Sequence, residues 1–262
     1  MAKRAFIPIP PMAELPPAEE IEMVFLISDT QDNFSPTGVF ALDVHDNLWL
    51  LEYANVTHLW LSAGDREELE KQTGEPVRTV EDMFNGTYRF GETKISPRFH
   101  ILDYRGHRQK EIAGYAAAHS MVFLYAGAGT RQLEPFKKSS KSSRIYYVNA
   151  HLYQKQLIWQ LYKQRNREGD YLFLPEGLDP KFQTEIVCVQ PDRTTKSGHL
   201  PENWKAEHDA VHDAFDVLKM ACWAKDFVFA KFAPTMFRCM KSPGLRRTQK
   251  TWFERNTKKA EG

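Results

Sequence analysis

The sequence predicts an α/β protein, a mixed central β-sheet with helices on both faces. Three observations carry that prediction. Short apolar runs of strand length stop at a carboxylate, a hairpin signature stands near the start, and amphipathic helical stretches separate the later strands. With 262 residues the chain can form one large domain with a substantial core.

The elements follow in order. Residues 1–20 carry five prolines, a density in which neither helix nor sheet pairing is expected, so they read as an arm or linker. The folded domain is expected to span 21–226, with a basic tail over 227–262. The stretch from Glu22 to Asp29 has the length and composition of a buried central strand ending in an acid. Gly38–Val44 and Leu48–Tyr53 flank the turn His45-Asp46-Asn47, which predicts an antiparallel hairpin. Asp65–Gln72 reads as a helix that Asp65 can cap. Arg98–Asp103 is a second strand ending in an acid, followed by a helix from Arg108 to His119 and a buried strand at Met121–Tyr125. Gly127-Ala128-Gly129-Thr130 matches neither phosphate-loop pattern and reads as a turn after that strand. A helix over Leu152–Arg165 is expected to turn Leu152, Gln156, Trp159 and Tyr162 toward the core, and Tyr171–Pro175 to form a short strand. The last strong element is a helix over Asp209–Ala224, its apolar face formed by Val211, Ala214, Phe215, Leu218 and Cys222.

Composition narrows the classes of function. The formal net charge is only +1, but it is unevenly spread. From Lys225 onward ten basic residues face three acidic ones, and Arg131–Arg144 holds five against one. These segments are the candidate phosphate contacts, with solvated tail and loop as the plain alternative. Lys137, Lys138, Lys141 and Arg144 are the named candidates. Cys188, Cys222 and Cys239 form no CxxC pair, which argues against a disulfide framework or a zinc knuckle and fits a reducing cytoplasm. The first residues lack the apolar run of a signal peptide, and no stretch is apolar enough to cross a membrane.

The acids carry the chemistry. Asp29 and Asp103 end predicted central strands, where side chains converge on a cleft. Asp216 lies on the late helix with Asp213 one turn earlier, and a helix beside the first strands would bring it to the same point. Carboxylates gathered in one place repel each other unless a cation holds them, and such oxygen-rich sites suit Mg²⁺ or Mn²⁺. Two such ions can activate a water and stabilise the leaving oxygen in phosphodiester cleavage. Taken together, an acid on the first strand, a hairpin, an acid on the fourth strand and an acid on a late helix follow the RNase H-like plan.

The local motifs extend this to a family. Phe25-Leu26-Ile27-Ser28-Asp29-Thr30-Gln31-Asp32-Asn33, with the hairpin and Trp49-Leu50-Leu51-Glu52-Tyr53, resembles the start of the nuclease domain of tailed-phage large terminase subunits. Ile101-Leu102-Asp103-Tyr104-Arg105-Gly106-His107 is similar to the second motif of that family, with its glycine displaced by one place. His212-Asp213-Ala214-Phe215-Asp216-Val217 is similar to the third, with Val217 where a cysteine is usual. Tyr147-Val148-Asn149 and Lys205 also fit. The resemblance runs from about Glu22 to Ala224.

It implies a metal-dependent endonuclease that cuts double-stranded DNA during genome packaging and leaves a 5′-phosphate and a 3′-hydroxyl. Asp29, Asp103 and Asp216 would hold one or two Mg²⁺ or Mn²⁺ ions with Asp213 as an auxiliary ligand, and Lys205 would join the DNA contacts. The implied protein partners are the terminase ATPase and small subunit and the portal. No Walker-type loop occurs in the sequence, so the expectation is a nuclease without the packaging motor. His107 and His119 are expected at the surface or in the core. Two rivals stand beside this reading: another RNase H-like nuclease such as a junction resolvase, and a non-catalytic DNA-binding or capsid-docking module.

Overall fold

A computed structural model describes residues 11–12, 15–128, 134–165, 172–175, 178–191, 204–206 and 210–239. The strands are β1 (Pro11–Met12), β2 (Ile21–Ser28), β3 (Ser35–Asp43), β4 (Leu48–Val56), β5 (Tyr88–Phe90), β6 (Thr93–Ile95), β7 (Phe99–Asp103), β8 (Val122–Ala128), β9 (Phe136–Lys138), β10 (Ile145–Asn149), β11 (Leu172–Pro175), β12 (Val189–Pro191) and β13 (Trp204–Ala206). The helices are α1 (Ala63–Thr73), α2 (Val80–Asn85), α3 (Gln109–Ala118), α4 (Ala150–Arg165), α5 (Pro180–Val187) and α6 (Asp213–Cys239). Nine strands form one sheet in the order β1-β11-β4-β3-β2-β7-β8-β10-β9. The meander β2-β3-β4 is antiparallel, while β7, β8 and β10 follow β2 in parallel. The mixed α/β sheet expected from the sequence is therefore present.

Alternation along the strands divides the core between the two faces. Val24, Leu26, Val39, Ala41, Leu102, Val122 and Leu124 pack with Val80 and Met83 of α2 and Ile112, Tyr115 and Ala116 of α3. On the opposite face Phe25 stacks on Phe40 and Phe99, and Phe99 meets Phe123 edge-on. Tyr125 and Tyr146 on that face contact Trp223 of α6. Helices thus cover both faces. The chain divides into two compact units, Met1–Ala224 and Lys225–Gly262. The sheet belongs wholly to the first. The described part of the second is the continuation of α6 to Cys239.

Several local expectations change. Pro11 and Met12 pair with Leu174 and Pro175, so part of the proline-rich arm does join the sheet. It does so at the edge, where proline is tolerated. Ser62, not Asp65, caps α1: its hydroxyl accepts from the Asp65 backbone N–H, with Asp65 at the third helical position. The buried side of α4 carries Tyr153, Leu157, Ile158 and Leu161, none of them in the expected set. Leu152 is 39% exposed, and the Trp159 and Tyr162 side chains lie outside the described residues. Val211 precedes α6 and is half exposed, whereas Ala214, Phe215, Leu218 and Cys222 are buried as expected. Gly127 and Ala128 continue β8 rather than forming a turn; Gly129 and Thr130 fall outside the described residues.

Candidate active site

The register of the parallel strands brings the first two acids together. Pairing of β2 with β7 runs from Phe25↔Phe99 to Ser28↔Leu102, so the next step along each chain is Asp29 and Asp103. The exits of these strands are tied as well. The Asp29 N–H donates to the Pro36 carbonyl at 2.9 Å, and the Thr30 hydroxyl donates to the Asp103 carbonyl at 3.2 Å. Gly106 closes the turn beyond β7, where a Cβ would stand 3.0 Å from both Asp103 Oδ2 and the Thr30 carbonyl oxygen. Only glycine allows that approach without displacement.

The first turn of α6 supplies the other two acids. Asp213 and Asp216 sit at its amino end, where the helix dipole favours negative charge. Buried Glu185 fixes the entry by accepting from the Ala214 N–H at 2.9 Å. Gln31 then links the elements: its Nε2 donates to Asp29 Oδ2 at 3.0 Å and to Asp213 Oδ1 at 3.2 Å. Asp29, Asp103, Arg105, Gly106, Tyr125, Gly127, Ala150, Asp216, Lys219 and Met220 line a cleft of about 240 Å³.

The electrostatics follow from this crowding. Asp29 is 6% exposed, and its carboxyl is pushed up to about 8 by burial first, then by Asp216, Asp103 and Asp213. Burial also raises Asp103 and Asp213 above the usual carboxylate range. Lys219, one turn after Asp216 and ion-paired with it, opposes the shifts of Asp29 and Asp103.

The structure thus brings Asp29, Asp103 and Asp216 to one cleft and joins Asp213 to them through Gln31. Sequence reasoning missed Gln31 and Lys219 as parts of the site. Gln31 was visible inside the first motif, and Lys219 stands three residues from Asp216 on one helix face. His107 pairs with Asp32 at 2.6 Å, and His119 bonds to Glu81. Of the basic candidates, Lys137, Lys138 and Lys141 are exposed, whereas Arg144 donates to the His119 carbonyl at 2.7 Å. Opposite Tyr147 and Tyr146 respectively, Lys137 and Lys138 point to different faces of the sheet. The Lys205 side chain and the tail beyond residue 239 lie outside the described residues.

Among the described residues no three side chains of metal-ligating type are close enough to enclose an ion as they stand. Asp216 is paired with Lys219 instead, and Gln31 bridges Asp29 and Asp213. The donor chemistry nevertheless fits Mg²⁺ or Mn²⁺, because the cluster offers carboxylate oxygens without sulfur. A cation would also compensate the buried charge and relieve the mutual repulsion that together raise Asp29.

No helix is long and apolar enough to cross a membrane among the described residues. No curated relative matches the chain. The crystal structure of the large terminase nuclease from thermophilic phage G20c is similar at 13% identity and a TM-score of 0.36, covering 86% of this chain and 94% of that one. The family model of the terminase large subunit gpA endonuclease domain matches residues 14–234. Because that span takes in β2 through β13, all four clustered acids and Lys219, the chain belongs to the terminase large-subunit gpA endonuclease-domain family and is a nuclease.

Proposed function

We propose that the chain is a metal-dependent endonuclease that cuts double-stranded DNA during phage genome packaging. The observation that carries this reading is the convergence of Asp29, Asp103 and Asp216 on one cleft, with Asp29 raised to about 8 by its burial and its acidic neighbours. Groups with such perturbed protonation, gathered in a cleft, mark a site prepared for a cation or a proton. Asp29, Asp103 and Asp216 would hold Mg²⁺ or Mn²⁺, one or two ions, with Asp213 as auxiliary ligand. When bound, such ions supply Lewis-acid activation of water and charge stabilisation of the phosphodiester.

The chain's own residues prepare that chemistry. Gln31 fixes Asp29 and Asp213 relative to each other. The turn at Gly106 holds the Asp103 carboxylate against the exit of β2. Lys219 restrains Asp216 and offers a positive charge to an incoming phosphate. Arg105 lines the cleft, and exposed Lys137, Lys138 and Lys141 supply backbone contacts to DNA, with Lys205 and Arg144 as further candidates. The terminase ATPase and small subunit and the portal are the protein partners that fit a packaging role.

The Lys219–Asp216 pair also favours one rival, a docking module in which acids merely balance bases. Plasmid cleavage with Mn²⁺, Mg²⁺ or EDTA separates the two. Metal-dependent nicking and linearisation, lost in Asp29→Asn and in Asp103→Asn, is the expected result. Absence of both cleavage and Mn²⁺-induced stabilisation would favour the docking module. Far faster cutting of branched DNA than of linear duplex would favour a resolvase.

A further inference from the structure

Tyr125 stands in β8 at the register position of Asp103 and lines the same cleft. Its ring meets Trp223 edge-on at 5.4 Å, which fixes where the hydroxyl can lie. That hydroxyl lies toward Gly127 and Ala150, two other lining residues. A Cβ built on Gly127 would be 3.9 Å from the hydroxyl oxygen and 3.7 Å from the Ala150 Cβ. Among the described residues the Tyr125 hydroxyl is buried and has no hydrogen-bond partner. This is unexpected beside three carboxylates, the best acceptors available to a phenol. Leaving a buried donor unmet is unfavourable, and a phenylalanine of the same shape would avoid the loss.

We propose that Tyr125 is a hydrogen-bond donor to the substrate, its hydroxyl directed at a non-bridging oxygen of the phosphodiester held in the cleft. The inference rests on the nuclease reading above and adds a residue to it. The ligand that fits is an acceptor arriving from outside, since no acceptor among the described residues meets the hydroxyl. An oxyanion is the ligand a nuclease cleft receives. A preorganised donor costs no reorganisation when charge grows on the phosphate oxygens, which makes its contribution larger in the transition state than on binding.

The test is Tyr125→Phe, which removes one oxygen and keeps the ring against Trp223. Plasmid cleavage in Mn²⁺ should fall by about 10- to 100-fold in kcat with little change in KM. Thermal unfolding in EDTA should show an unchanged or raised Tm, because an unmet buried hydroxyl has been removed. The Mn²⁺-induced rise in Tm should equal that of wild type. A structural tyrosine would show the reverse, a lower Tm with kcat per folded molecule unchanged, and that result would overturn the proposal. If wild type cuts and Tyr125→Phe cuts equally fast, this inference alone falls. If wild type does not cut under any metal, the nuclease mechanism and this inference fall together.

Discussion

Replacing Asp29 by asparagine should stabilise the metal-free protein at alkaline pH while destroying its activity. The native carboxyl titrates near 8 and the unfolded one near 3.8. Below about 4 both states hold the proton, and Asp29 contributes no pH dependence. Between about 4 and 8 the unfolded state has released the proton and the native state retains it, so wild-type stability falls as pH rises. Above about 8 the loss is complete. A shift of this size corresponds to a ceiling of about 6 kcal/mol, at roughly 1.4 kcal/mol per unit. The substituted asparagine has no proton to hold and lacks this loss, and its amide oxygen can still accept from Gln31. Urea unfolding in EDTA across pH 4–9 measures the difference directly, because every other titrating group is shared. The gap between Asp29→Asn and wild type should widen steadily toward pH 8 and then level. Adding Mn²⁺ at pH 8 should reverse the order, stabilising wild type alone. Parallel pH profiles for the two proteins would refute the burial of Asp29 among neighbouring carboxylates on which the site rests.

Gly106→Ala should reduce cleavage at least ten-fold with a smaller effect on folding, since its Cβ meets Asp103 Oδ2 and the Thr30 carbonyl oxygen at 3.0 Å. Plasmid cleavage beside urea unfolding would check both halves. Asp43→Ala should do the opposite. Its carboxylate accepts from the His45 and Asn47 N–H groups, the Asn47 amide and the Trp49 indole, so the loss should be about 3–5 kcal/mol. It lies roughly 24 Å along β3 from Pro36 and the site, so kcat of the folded fraction should be unchanged. Arg105→Ala should weaken duplex binding in EDTA equally for all sequences and reduce the salt slope by about 0.9, as loss of one phosphate contact requires. Fluorescence anisotropy at several salt concentrations reads that slope, and an unchanged slope would remove Arg105 from the DNA contacts.

The strands bearing Asp29 and Asp103 were legible because each is a short apolar run that stops at an acid, a pattern set by local composition. The hairpin was legible for a similar reason: the Asp46 turn, with its φ of 65°, is the kind of position Asp and Asn favour. Helix α6 was placed by its apolar spacing, and the order of the motifs tied its acids to the strands. What stayed hidden depends on pairing across distance. The β1–β11 edge pairing joins residues more than 150 positions apart, and nothing in Pro11-Met12 announces a strand. The small hairpin β5–β6 and the short helix α2 are too brief for periodicity to register. The roles of Gln31 and Lys219 arise only once α6 stands beside the end of β2. Arg144 looked like a free cation in a basic segment, yet its guanidinium is held by the carbonyl end of α3.

The near-zero net charge conceals a separation that ties DNA binding to cation binding. Three carboxylates line the cleft proposed to receive the scissile phosphate, with Asp213 linked to them through Gln31, while Arg105 lines the cleft and exposed lysines stand on β9 and beyond it. The backbone of DNA is attracted to those outer cations and repelled at the centre until the acids are neutralised. Neutralisation by a cation therefore raises DNA affinity, and DNA must raise cation affinity by the same factor. Neutralisation by mutation should do so as well. In EDTA at pH 9, where Asp29 is ionised, Asp29→Asn should bind duplex DNA several-fold more tightly than wild type although it cannot cut. At pH 6, where the Asp29 carboxyl is already protonated, the two should bind alike. Anisotropy titrations at the two pH values decide it: equal affinities at pH 9 would mean that the carboxylates do not face the DNA, and the cleft between Asp29, Asp103 and Asp216 would lose its claim to be the site of cleavage.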